Sequence, residues 1–190
     1  MIRHKLSGVG AAMITPFTAD GRIDYEALAS TVDYVIEGGA DYIVALGTTA
    51  ETPTLYMPER AVIAMFISNH IAGRVPLVIG VGGNSTSEVL DQLREFDLRR
   101  ADAILSVTPY YNKPSQEGLY QHFRTVSEHS PVPVILYNIP GRAGVNMSDE
   151  TTLRIARDFG NVIGVKEASG DIAQIQRIID RRPEGFLVLS

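Results

Sequence analysis

The sequence predicts an α/β protein in which parallel strands alternate with crossover helices. Short runs rich in Val, Ile and Leu alternate with segments of helical period along the whole chain. The starts of seven such runs lie 34, 34, 27, 30, 29 and 24 residues apart, which leaves room for one strand and one helix in each interval. No linker or composition break interrupts this rhythm, so one domain over residues 1–190 is expected.

Strands are expected at Gly8–Thr15, Tyr42–Leu46, Pro76–Val81, Ala103–Val107, Pro133–Tyr137, Val162–Lys166 and Phe186–Ser190. The first helix should start near Asp24, carry Leu28, Val32, Val35 and Ile36 on one stripe, and stop at Gly38-Gly39. The second should begin at Pro58, whose missing N–H would be unpaired in a first turn anyway. Ser85 and Glu88 have the spacing of a capping box ahead of a third helix that groups Val89, Leu93 and Phe96. A fourth follows Ser115 with Leu119, Phe123 and Val126, and a fifth follows Ser148. The sixth is expected to present Ile172, Ile175, Ile178 and Ile179. Two architectures share this pattern, an open doubly wound sheet and a closed eight-stranded barrel, and both place their sites at the carboxyl ends of the strands.

Composition narrows the function classes. With 45% apolar and 21% charged residues the chain can bury a sizeable core and is neither a disordered tail nor a coiled coil. Its net charge of −5, with scattered basic residues, gives no footprint for nucleic acid. The absence of cysteine excludes disulfides, thiolate metal sites and a cysteine nucleophile, and suits a cytoplasmic protein. Arg3-His4-Lys5 ahead of Leu6 imitates a signal peptide, but Gly8 and Gly10 interrupt the apolar run and Pro16 closes it; no membrane partner is expected. His4, His70, His122 and His129 are scattered, so no metal ligand set is expected. The stretch Gly80-Val81-Gly82-Gly83-Asn84-Ser85 lacks the third glycine of a dinucleotide fingerprint and reads as a turn into the third helix.

The strand ends carry the unusual residues. Lys166 closes the apolar run Val162-Ile163-Gly164-Val165, where a parallel strand is normally buried on both faces. Alternation places it with Val162 and Gly164, and sets Glu167 on the opposite face. Desolvation of such an amine would lower its pKa and free a neutral fraction able to attack a ketone. The ordinary alternative is a lysine that snorkels to solvent. Tyr137 ends the preceding strand and would lie beside Lys166 in a barrel; Thr48, Tyr110 and Tyr111 supply further hydroxyls at other strand ends. Each has an everyday alternative as a turn residue or core cap. Arg142 has the planar fork that matches a carboxylate, or is a solvated loop arginine.

Four ordered motifs at successive strand ends now resemble a known family. They are Gly47-Thr48-Thr49-Ala50-Glu51, the run Thr108-Pro109-Tyr110-Tyr111-Asn112-Lys113-Pro114-Ser115 and onward to Tyr120, Tyr137-Asn138-Ile139-Pro140-Gly141-Arg142, and Gly164-Val165-Lys166-Glu167-Ala168-Ser169-Gly170. Together they resemble the pyruvate-dependent class I aldolases typified by dihydrodipicolinate synthase and N-acetylneuraminate lyase. The resemblance covers essentially the whole chain and implies a (β/α)8 TIM barrel, of which residues 1–190 cover six βα units and the seventh strand.

It further implies that Lys166 forms an imine with pyruvate, with no separate cofactor, and that the derived enamine adds to an aldehyde. Tyr137, Thr48 and Tyr111 match the family's proton relay, the last typically reaching in from a neighbouring subunit of a dimer or tetramer. Thr49 matches the position that binds the pyruvate carboxylate, and Arg142 the arginine that receives the carboxylate of the aldehyde. The paired threonines and Arg142 look like the synthase type, whose aldehyde is L-aspartate-4-semialdehyde and whose product is 4-hydroxy-tetrahydrodipicolinate in the diaminopimelate and lysine pathway. Ala50 and Ala143 depart from the usual glycine and threonine. Asn84, Glu88 and Tyr110 match an allosteric lysine site, but Met57 and Arg60 stand where lysine-inhibited members carry histidines, which argues against feedback. Two other readings stand beside the synthase: another pyruvate aldolase acting on N-acetylneuraminate or a keto-sugar acid, and a C-terminally incomplete, non-catalytic fragment that serves as an assembly unit.

Overall fold

The computed structural model describes residues 5–190, so Arg3 and His4 of the leader-like stretch lie outside the described residues. The chain divides into two compact units, Met1–Gly80 with Glu95–Ala103, and Val81–Arg94 with Ile104–Ser190.

In the first unit the strands β1 (Gly10–Ala12), β2 (Tyr42–Ala45) and β3 (Leu77–Gly80) run parallel in chain order, with Gly10 opposite Tyr42 and Ile43 opposite Leu77. The first strand is much shorter than the expected Gly8–Thr15. Gly8 has a positive φ of 99°, and the Thr15 hydroxyl turns to the Ala50 carbonyl at 2.8 Å, while Met13 still donates to Val44 at 2.9 Å. Leu46 enters the left-handed region at φ 55° and ends β2 one residue early. The close approach there requires Gly80, because a Cβ on it would stand 1.9 Å from the Leu46 carbonyl oxygen.

Helix α1 (Tyr25–Glu37) starts as expected after Asp24, whose carboxylate accepts from the Ala27 N–H at 2.9 Å. Leu28 and Val32 are buried, Val35 and Ile36 half-buried, and Gly38 caps the end. Helix α2 (Met57–Ile71) begins one residue before Pro58, with the Glu59 carboxylate accepting from the Tyr56 N–H at 2.8 Å. Its buried positions are Ile63, Ala64, Ile67, Ser68 and Ile71, at the three- and four-residue spacings of one helix face.

The second unit holds α3 (Thr86–Glu95), β4 (Ala103–Val107), α4 (Gln116–His129), β5 (Val134–Asn138), α5 (Asp149–Asp158), β6 (Val162–Glu167), α6 (Ile172–Arg181) and β7 (Leu187–Leu189). Its strands are again parallel and in chain order. Ser115 and Ser148 cap α4 and α5, accepting from Gly118 and Thr151 at 3.2 Å each. Leu119, Phe123 and Val126 are fully buried, as the pattern requires. At α3, Ser85 accepts from the Glu88 N–H at a long 3.5 Å. The glycine-rich stretch before it is a turn gripped by a buried side chain: the Gln92 amide accepts from Gly82 N at 3.2 Å and donates to Gly82 O at 3.1 Å. His122 of α4 is buried, with Nδ1 2.8 Å from the Thr86 hydroxyl and Nε2 without a hydrogen-bond partner; desolvation lowers its pKa to about 4.

The expected stripe on α6 is corrected. Ile178 is buried, but Ile172 is 73% exposed and Ile179 38% exposed. The inner face of this helix is Gln174 and Ile178, one turn apart, because the Gln174 amide is taken up by a buried polar network. Strands β5 and β6 each run one residue past their expected ends, to Asn138 and Glu167, while β7 is trimmed to three residues.

Candidate active site

The central feature is a register. Val134 pairs with Val162, but Ile135 pairs with Gly164, so β6 holds one extra residue and every later pair is shifted. Tyr137 is thereby opposite Lys166, and Asn138 opposite Glu167. Without the extra residue, Lys166 would stand opposite Asn138 and alternate to the wrong face. Gly164 permits the tight passage beside it, since a Cβ there would stand 2.7 Å from Leu187 Cβ.

Tyr137 and Lys166 therefore share one face at the carboxyl ends of adjacent parallel strands. Tyr137 is buried and Lys166 half-buried, with Nζ lying over the tyrosine ring 4.7 Å from its centroid. That is the range of an amine–aromatic contact. Val107 is opposite Tyr137 on the other side and continues the row.

On the opposite face the strands end in polar residues that sequence reasoning did not single out as functional. Asn138, Glu167 and, from α6, Gln174 are all buried. The Glu167 carboxyl accepts from Asn138 Nδ2 at 3.1 and 3.0 Å, from Gln174 Nε2 at 3.1 Å and from the Ser169 N–H at 2.9 Å. A signal was present: a carboxylate on the second face of a doubly buried strand has to be met by donors.

Arg142 lies in a single helical turn, Pro140–Ala143, and is exposed, with no side-chain partner among the described residues. The turn ends on Gly144 at φ 72°, against which the Lys113 side chain packs. Tyr111 has φ 71° and is 84% exposed; Tyr110 is half-buried. Asn112 donates to the Asn84 carbonyl at 3.1 Å, tying the Tyr110–Tyr111 loop to the glycine turn. Glu88 stands exposed in the first turn of α3. The loops carrying Asn84 and Tyr110 are thus brought together.

Thr48 and Thr49 belong to the first unit, in the 3-10 turn Thr48–Ala50 that follows β2. Thr48 is half-buried and Thr49 exposed. The turn is held by Thr15 on Ala50 O and by the Thr52 hydroxyl on Gly47 O at 3.0 Å. Among the described residues, no group of three or more His, Asp or Glu could hold a metal ion, and no helix is long and apolar enough to cross a membrane.

Comparison with solved structures defines the class as a (β/α)8 barrel, of which this chain covers part. Dihydrodipicolinate synthase from Aquifex aeolicus superposes with a TM-score of 0.92 at 40% identity, over 96% of this chain and 62% of that one. The chloride-inhibited dihydrodipicolinate synthase from Acinetobacter baumannii, complexed with pyruvate, gives 0.91 at 41% identity, over 95% and 62%. A 4-hydroxy-tetrahydrodipicolinate synthase of Parabacteroides distasonis is 55% identical over 185 residues, 97% of this chain and 62% of the relative. The dihydrodipicolinate synthetase family model matches residues 5–190, and the chain belongs to that family. It spans about 62% of the length of these relatives.

Proposed function

We propose that this chain carries the imine-forming part of a lyase that condenses pyruvate with L-aspartate-4-semialdehyde to give 4-hydroxy-tetrahydrodipicolinate, in the cytoplasmic diaminopimelate and lysine pathway. The observation that carries the reading is the Lys166 amine stacked on Tyr137 at the carboxyl ends of adjacent strands. The names of relatives at about half identity favour the synthase over the keto-sugar-acid lyases.

In this reading the Lys166 amine attacks the ketone carbon of pyruvate, and loss of water leaves the imine. Departure of a methyl proton turns the imine into an enamine, whose carbon bonds to the aldehyde carbon as the aldehyde oxygen takes up a proton and the Lys166 imine re-forms. The amino group of the aldehyde substrate then attacks the imine carbon, closing the ring and releasing the Lys166 amine. Neutral hydroxyls move these protons: Tyr137, with Thr48 and Tyr111 as its relay partners. Thr49 and nearby backbone N–H groups hold the pyruvate carboxylate, and the Arg142 fork receives the carboxylate of the aldehyde. The openness of Arg142 suits capture of a second, incoming substrate. The 84% exposure of Tyr111 supports a relay completed by a neighbouring copy, hence a homo-oligomer. The covalent imine supplies the electron sink, so the chemistry calls for no cofactor. Asn84, Glu88 and Tyr110 keep the family's effector positions in the same reading, while Met57 and Arg60 argue against feedback by lysine.

Incubation with pyruvate and borohydride should add one reduced pyruvyl group, mapped to Lys166 by peptide mass, and Lys166→Ala should abolish it. A folded sample with Lys166 unmodified overturns the reading.

A further inference from the structure

The buried side chains behind the reacting face do more than satisfy one another. Asn138 reaches across the segment that carries Arg142: its Oδ1 accepts from the Met147 N–H at 2.9 Å, and its Nδ2 donates to the Met147 carbonyl at 3.3 Å and to Asn146 Oδ1 at 2.7 Å. One amide thus closes a nine-residue excursion, taking both backbone groups of Met147 much as a paired strand would. Gln174 repeats the grip from α6, with Nε2 3.2 Å from the Met147 carbonyl and Oε1 accepting from Asn146 at 2.9 Å. Both amides then converge on the carboxyl of Glu167, the residue that follows Lys166 in the chain. The Ala168 N–H continues the strand pairing onto the Asn138 carbonyl at 2.8 Å.

We propose that Asn138, Glu167 and Gln174 form a positioning unit that locks the Lys166 strand end and the Arg142 segment into one fixed relation. The inference rests on the imine reading above and deepens it. None of the three can touch substrate by the route that serves Lys166 and Tyr137, because Asn138 and Glu167 lie on the opposite face of the same strands. They act through the backbone. The donors to Glu167 are uncharged amides, so removing one leaves a buried carboxyl short of partners, and the strain falls on the residue beside the imine lysine.

The test uses the chain itself with Asn138→Ala and, as the near-isosteric variant, Glu167→Gln, which turns one acceptor oxygen into a donor facing donors. Tyr120→Phe, which removes a hydrogen bond to Asp158 elsewhere in the same unit, is the control for plain destabilisation. Two readouts are taken on folded protein: native-state tryptic cleavage after Arg142 relative to cleavage after Arg22, and the rate of borohydride trapping at saturating pyruvate. Asn138→Ala should speed cleavage after Arg142 and slow trapping, each by roughly tenfold or more, with little change in the half-saturating pyruvate concentration. Glu167→Gln should shift both severalfold in the same directions, and Tyr120→Phe neither. If wild type traps pyruvate and both network variants trap at its rate, or if cleavage after Arg142 is unchanged, the positioning unit is refuted while the imine reading stands. If wild type itself never traps pyruvate, the imine reading falls and this inference with it.

Discussion

Acidification should weaken the second unit through one imidazole. His122 sits inside α4, edge-on to Phe123 with ring centroids 5.0 Å apart, bonded at Nδ1 to Thr86 and unpartnered at Nε2. A proton gained there creates an N–H with no acceptor in an apolar setting, and burial accordingly lowers the pKa from 6.5 to about 4. The folded value lies below the unfolded one, so the unfolded chain takes up the proton first as pH falls. The contribution of neutral His122 is therefore whole above the unfolded pKa, is lost progressively as pH falls from there, and is gone once pH has passed the folded value. A gap of this size corresponds to about 3 kcal/mol in full, of which about 2 kcal/mol is lost by pH ~5, where most carboxylates are still ionised. Urea unfolding at roughly pH 7.5 and pH 5, for wild type and His122→Gln, isolates the effect because all other groups titrate in both proteins. Wild type should lose about 2 kcal/mol more than the variant between the two conditions. Equal losses would show that His122 stays neutral in neither state's favour, and the argument from burial would fail.

Two further perturbations test the packing. Gly80→Ala drives a Cβ to 1.9 Å from the Leu46 carbonyl, a backbone atom that cannot rotate away, and should cost about 1–3 kcal/mol or more by chemical denaturation; a neutral result would mean that the β2 and β3 ends separate easily. Asp149 is a buried carboxylate at the start of α5 that accepts from Arg177 Nε at 3.0 Å and from Arg177 Nη2 at 3.2 Å, which raises the Arg177 pKa. Asp149→Asn should lower stability by about 1–3 kcal/mol with little sensitivity to added salt, while an effect that vanishes in high salt would reveal a solvent-screened pair.

Much of the fold was legible in the letters because helices and strands announce themselves locally. Asp24, Ser115 and Ser148 cap the helices they precede, and Leu119, Phe123 and Val126 pack inward at the spacing of one helix face. The α6 stripe misled because isoleucine spacing cannot reveal that the inner position is wanted for an amide; Gln174 is buried only because Glu167, Asn146 and Met147 are there to meet it.

The motifs at the strand ends, and hence the family, were determined by sequence alone, since they are contiguous runs of residues. Tyr137 was expected beside Lys166 as well, and the strands pair them; the register that makes them neighbours was not legible. Alternation has a period of two and is blind to a single inserted residue on one strand of a pair. The slip between Val134 and Ile135 is visible only in the paired backbones, and it is this slip that brings Tyr137, rather than Asn138, to Lys166 and sends Asn138 and Glu167 together to the face behind.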